Sequence, residues 1–337
     1  MEVIIMQSKY HHLIPQTYLS AWGNSSGTLK IEWLENGKIE NRNTDSVAGI
    51  NHYHSIIAGM PFCTKDDTDH FFACLCNYSV TYDGEILSDT LEMNKYYGVF
   101  NEWSIKRDDG TAVRKRSLKA EIDSIKIQDI EDNWSAQYEN KWPSVRSMIE
   151  QTVDAGLSSV PQFEFRYLME FFTALDWRSI LSNSEFVDVL NWICNDIMGL
   201  DKIDIPKDER ELPMFETATD YMKHCLLLSY YRKFLDGAGV IHTCAEEYMK
   251  HMSFHFLVSE GKDNFITSDN PAFIGTRKQG DKVGILPITP KIIMTIGRNS
   301  QDDNNYYITK IGASEVREYN RMIRNNSGQF IVYSNAD

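Results

Sequence analysis

Apolar positions along the chain follow a strand-like rhythm at both ends and a helical one in the middle. Residues 28–34 alternate, a Glu35-Asn36-Gly37-Lys38 turn follows, and a return strand starts at Ile39. Asn-Gly between alternating segments is the strongest local hairpin signal. Residues 47–57 read as a further strand or extended segment. Between 118 and 153, Ile122, Ile125, Ile130, Trp134, Tyr138 and Trp142 recur near helical spacing, and Pro143 is placed to break or restart the helix. Ser159 reads as an N-cap ahead of Pro161, followed by a helical stripe through Phe163, Tyr167, Phe171 and Leu175 towards Leu181. Ser184 caps the next predicted helix, which ends near Gly199. Polar residues 202–213 connect it to another helix over 218–235.

After Gly239 the rhythm returns to strands. Residues 253–259 and 265–267 read as a hairpin around Gly261-Lys262-Asp263 that leads into Ser268-Asp269-Asn270-Pro271. Strands follow over 283–286 and 292–296, then a helix capped at Ser314 and running to Arg324, and a closing strand over 329–333. The expected fold is α+β: a helical middle with β-hairpins and a small mixed or antiparallel sheet formed from the two ends of the chain. The corresponding division is 1–117 as a β-rich segment, 118–238 as a helical lobe, and 239–337 as an α+β segment packing with the first.

Composition narrows the function classes. The 337 residues, 42% hydrophobic, suffice for a sizeable core. No apolar run approaches the roughly 18 residues that cross a bilayer, and the first residues lack the pattern of a signal peptide, so the expectation is a cytoplasmic protein without a membrane span. The six cysteines form no Cys-x-x-Cys pair and read as reduced core thiols. A formal net charge of −14 disfavours nucleic acid overall, because counterion release needs clustered cations, and suits a protein that docks on a basic partner. The basic cluster Lys106, Arg107, Arg114, Lys115, Arg116 and Lys119 fits a solvated loop better than a phosphate site.

Several groups could carry chemistry. His11 and His12 precede Pro15, a residue suited to a first helical turn, and unpaired donors at such an end favour neutral imidazole. His52 and His54, if on a strand, share one face and could ligate a metal; a surface or structural role is the alternative. Asp66, Asp67, Asp69 and His70 read as a solvated helix start. Glu246, His251 and His255 are further candidates. Ser268-Asp269-Asn270-Pro271 is both a good turn and a possible site. Walker, Gly-x-Ser-x-Gly, His-Glu-x-x-His and dinucleotide motifs are absent from the sequence.

Lys9-x-His11-His12-x-x-Pro15-Gln16-x-Tyr18-Leu19 resembles the opening of the bacterial and phage family called domain of unknown function 4238. So do Phe265-Ile266-Thr267-Ser268-Asp269-Asn270-Pro271, Leu286-Pro287-Ile288-Thr289-Pro290, the Asn320 helix and the closing 330–334 strand. Arg178 resembles an arginine that members carry on a mid-chain helix. The resemblance implies that His11, His12, Asp269 and Asn270 share a site, that the chain ends meet, and that the setting is bacterial, phage or mobile-element. His52 and His54 lie outside that pattern.

The leading expectation is a metal-dependent hydrolase of a phosphodiester or nucleotide, using a divalent ion. In it His11 and His12 supply a ligand and a general base, Asp269 a second ligand or an orienting group, and Asn270 with Arg178 stabilises negative charge. Candidate ligands are His12, Asp269, His52 and His54. The alternatives are an acidic anti-defence protein that binds and blocks a host complex, and a small-anion sensing module.

Overall fold

The computed structural model describes residues 10–178, 184–277, 280–298 and 303–335. They form two compact units, each assembled from separate stretches of chain. One contains residues 52–132 and 199–232, the other 10–51, 133–198 and 233–337. The fold is α+β, with several small antiparallel sheets and one mixed sheet.

In the second unit a four-stranded sheet joins the two ends of the chain. Its order is Thr267–Ser268, Phe330–Tyr333, Thr28–Trp33, Ile39–Asn43, all antiparallel. The hairpin between the last two turns at Gly37, whose φ of 66° lies in the left-handed region. A six-stranded sheet runs Phe273–Thr276, Lys282–Thr289, Ile292–Arg298, Met252–Ser259, Asn305–Ile311, Ser159–Pro161. Met252–Ser259 and Asn305–Ile311 are its parallel pair.

Helix Ala313–Asn325 follows a period near 3.6, and Val316, Tyr319 and Ile323 enter a core with Leu257, Phe265, Ile285, Ile293 and Ile331. Asn320 on this helix clamps the approach to Ser268: its Oδ1 accepts from Ile266 N–H at 3.1 Å, and its Nδ2 donates to Asn264 O at 2.8 Å. Helix Phe165–Arg178 is apolar nearly all round, with every residue from Tyr167 to Arg178 except Glu170 buried. Its Phe171 stacks on Trp142 at 4.4 Å.

Four local expectations are corrected. Ser159 is the start of an edge strand, not a helix cap, since Ser159–Pro161 pairs with Asn305–Ile311. Residues 253–259 and 265–267 do not form one hairpin. Met252–Ser259 belongs to the six-stranded sheet, whereas Thr267–Ser268 pairs with Phe330–Tyr333. The Ala313–Asn325 helix is capped at Gly312 with Glu315 rather than at Ser314. Residues 239–251 after Gly239 are helical before the strands begin. Pro143 does restart a helix, Trp142–Asp154, as its first-turn preference requires. Lys9 and Leu181, and the side chains of Ser184 and Phe186, lie outside the described residues.

The chain-end motifs meet at the Tyr18 hydroxyl. It donates to Pro287 O at 2.7 Å and shares a hydrogen bond of 2.9 Å with Thr267 Oγ1, fully buried. Trp22, one turn on, donates its indole N–H to Phe265 O at 3.2 Å. Tyr18→Phe is expected to destabilise the protein by about 1–3 kcal/mol, because it strands a buried carbonyl without its donor. Equilibrium denaturation of the two proteins checks it; a loss within error would show that the contact contributes nothing net.

Candidate functional site

Helix Phe165–Arg178 ends in two buried charged residues, Asp176 and Arg178, that serve different surroundings. Successive helical residues turn by about 100°, so side chains two apart point roughly 200° apart. Arg178 donates from Nε and Nη2 to the His12 main-chain carbonyl, at 3.2 and 2.8 Å, and its guanidinium lies 4.5 Å from the Trp134 ring centre. His12 Nε2 is 2.8 Å from Gln16 Nε2 and 3.3 Å from the Asp45 carbonyl. His11 is buried on the short strand Tyr10–His12, opposite Ile50 of Gly49–Asn51. The structure thus ties Arg178 to the histidine motif through the backbone.

The Ser-Asp-Asn-Pro segment divides its two polar side chains. Both carboxylate oxygens of Asp269 accept backbone N–H groups, from Gly328 at 3.1 Å and Gln329 at 2.7 Å, which fixes the entry to the Phe330–Tyr333 strand. Burial raises the Asp269 pKa against the lowering effect of those donors. Asn270 instead faces a cavity. Its Nδ2 donates to Asn326 O at 3.3 Å, while its buried Oδ1 has no hydrogen-bond partner among the described residues. The buried Nδ2 of Asn326 has none either.

The cavity, of about 420 Å³, is lined by Asp176 with Phe172 one turn before it, by Asn270 and Asn326, and by Phe273 and Lys282 among others. Asp176 is 6% exposed and has no hydrogen-bond or ion-pair partner among the described residues. Burial alone pushes its carboxyl up to about 7. Gly284 sits on the floor, where a Cβ would come within 2.9 Å of Ile296 and 3.1 Å of Phe172. The bare backbone there keeps the helix close to the sheet.

Asp176 and Asn326 were not among the residues expected from the sequence. The signal for Asp176 was present: a carboxylate inside an apolar helical stripe, where a charged residue is almost never fully buried without a pairing partner. Nothing local marks Asn326, which follows its helix.

The unit made of 52–132 and 199–232 holds His52, His54, His70 and His224. His52 and His54 do not alternate on a strand, because the strand Gly49–Asn51 ends before them and the chain turns, with His52 at φ 58°. The expectation that they share one strand face is therefore corrected. His54 turns inward, 1% exposed, with its Nδ1 on the Glu131 carboxylate and its ring stacked on Tyr231 at 6.1 Å. His224 nearby is pushed down to about 3 by burial and then by His54. Asp67 is not solvated: it completes a capping box with Thr64 and receives Arg232 at 2.6 and 2.9 Å.

Of the candidate metal ligands, Asp269 accepts two backbone donors and the His12 ring is bonded to Gln16 and the Asp45 carbonyl, which leaves these two poorly placed to hold a metal. The cavity offers one carboxylate among neutral amides, where a divalent ion with oxygen ligands gathers more anionic oxygen.

The family model for proteins of unknown function DUF4238 matches residues 10–337, and the chain belongs to that family. No curated protein matches the chain. No solved structure matches it either.

The Asp176 carboxyl gives a pH signature. Its folded pKa lies above the unfolded value near 4, so the native state holds an extra proton between about pH 4 and 7. Native stability associated with this group is therefore greatest in acid and declines as pH rises through 7. Asp176→Asn is expected to gain on wild type by roughly 3 kcal/mol between pH 4 and 8. Denaturation of both proteins across that range measures the difference, and a flat difference would show an ordinary carboxylate.

Proposed function

We propose that the chain is a hydrolase acting in the Asp176 cavity, most consistently on a phosphodiester or nucleotide. One observation carries this reading: a buried carboxyl with no partner among the described residues lines a pocket together with amides that have unsatisfied polar atoms. Buried polar groups are ordinarily paired, and exceptions of this kind concentrate where a ligand completes them. A carboxyl poised near neutrality suits general-base activation of water. The Asn326 amide N–H would donate to a developing oxyanion, and Lys282 would add positive charge at the mouth. Apolar Phe172 and Phe273 would hold the uncharged part of the substrate.

In this reading the histidine motif supports the site rather than reacting. His12 offers its carbonyl to Arg178, which braces the end of the helix that carries Asp176.

The test is turnover of bis(p-nitrophenyl) phosphate and a panel of nucleotides by the purified chain. Asp176→Asn is expected to lower kcat/KM about 10²–10³-fold with the fold intact. Wild-type activity should rise with pH to a plateau governed by a group near 7. Equal turnover by Asp176→Asn would sink the assignment. Activity abolished by a chelator and restored by a divalent cation would move water activation from the carboxyl to a metal. Should no substrate turn over, the acidic binding protein becomes the better reading.

A further inference from the structure

One face of the six-stranded sheet carries a second, larger cavity of about 1100 Å³, and its character is opposite to that of the chain. Against a net charge of −14, its lining includes Arg277, Lys282 and Arg298, with Asp281 as the one lining carboxylate among the described residues. Its floor is built from alternate positions of neighbouring strands, which project to a common side. His255 is in register with Tyr307 on the parallel neighbour and with Thr295 on the antiparallel one. Thr309 follows two residues after Tyr307 and bonds His255 Nε2 at 2.7 Å. Arg277 is half-buried, and its Nε is buried with no hydrogen-bond partner among the described residues.

Three features narrow the ligand. The lining cations are donors only, so the ligand is rich in anionic acceptors. Burial, and then Arg277, lowers the His255 pKa, so its ring is neutral near pH 7 and offers a face rather than a charge. The Tyr307 and His255 ring centres lie 6.4 Å apart with the rings nearly perpendicular, so two aromatic groups meet edge to face in the groove. A basic groove with aromatic rings on its floor is what single-stranded nucleic acid uses: cations follow the backbone and rings meet the bases. Glu315 and Glu318 line the adjoining pocket beside Arg277 and repel a backbone there, so the strand would run towards Lys282 and Arg298.

We propose that this groove binds single-stranded nucleic acid through its sugar-phosphate backbone. The overall acidity restricts binding to this one face, because counterion release depends on the local cluster of cations and not on the total charge. The groove shares Met252, Lys282 and Val283 with the Asp176 cavity. A strand end leaving the groove at Lys282 is therefore next to that cavity. The binding claim does not rest on hydrolysis there.

The experiment is fluorescence anisotropy of a labelled single-stranded oligonucleotide with the full chain, and with Arg277→Glu, Arg298→Glu and Asp176→Asn, each checked by thermal unfolding. Affinity is expected to fall about tenfold or more in each Arg→Glu protein and with added salt. Asp176→Asn should bind as wild type does, which keeps a failure of the hydrolytic reading separate from a failure of this one. Lys115→Glu with Arg116→Glu, in the other basic cluster, is the control and should leave binding unchanged. Absence of binding by wild type would overturn the proposal, as would loss that tracks Lys115 and Arg116. Competition by free mononucleotide as effective as by the oligonucleotide would also overturn it, by making the ligand a single phosphate group.

Discussion

The buried Tyr18 hydroxyl is the contact on which the second unit depends. Three segments far apart in sequence each place a polar group at that point: Tyr18 itself, Thr267 and the Pro287 carbonyl. In an apolar interior each of these would cost free energy alone, and together they satisfy one another. Direction accompanies the energy. A hydroxyl with one donor and two acceptor positions fixes the angle at which the Gln16–Leu19 helix meets both strands. Hydrophobic burial around it, by Leu19 and Trp22, supplies cohesion without that specificity.

Helix Phe165–Arg178 extends the same logic. It is buried on nearly every side, so the polar residues at its end have no solvent to turn to. Arg178 is accommodated by a carbonyl and an aromatic ring, and its position near the helix C-terminus favours a cation. Asp176 receives neither a cation nor a donor. The protein tolerates this carboxyl by letting its pKa rise to about 7, which is the usual response to desolvation without compensation. An unrelieved cost of this kind in a cavity is a more informative observation than the His12 ring, which is bonded to Gln16 and the Asp45 carbonyl.

The α+β class and the sheet joining the chain ends were legible in the residues because their signals are local and periodic. Asn36-Gly37 specifies a turn, the 28–34 alternation a half-buried strand, and Val316, Tyr319 and Ile323 an amphipathic helix. Pairing was less legible. Nothing near Met252–Ser259 says that its neighbours are Ile292–Arg298 and Asn305–Ile311 rather than residues 265–267, since register between distant strands is chosen by the assembled core. The site failed for a related reason. Asn270 was visible from its motif, but its cavity partners Asp176 and Asn326 are 94 and 56 residues away along the chain. The His52 and His54 expectation assumed a strand that the chain leaves after Asn51.

The four-stranded sheet also constrains the order in which the protein acquires its structure. Phe330–Tyr333 lies between Thr267–Ser268 and Thr28–Trp33, so the strand of this sheet that comes latest in sequence occupies an interior place. Until it arrives, the 28–43 hairpin has an open edge along Thr28–Trp33. Such contacts between remote segments form slowly, and exposed edges invite pairing with other chains meanwhile. The nascent chain thus carries an unfinished sheet until residues 330–333 have emerged, and the exposure of that edge ends only when this strand is inserted.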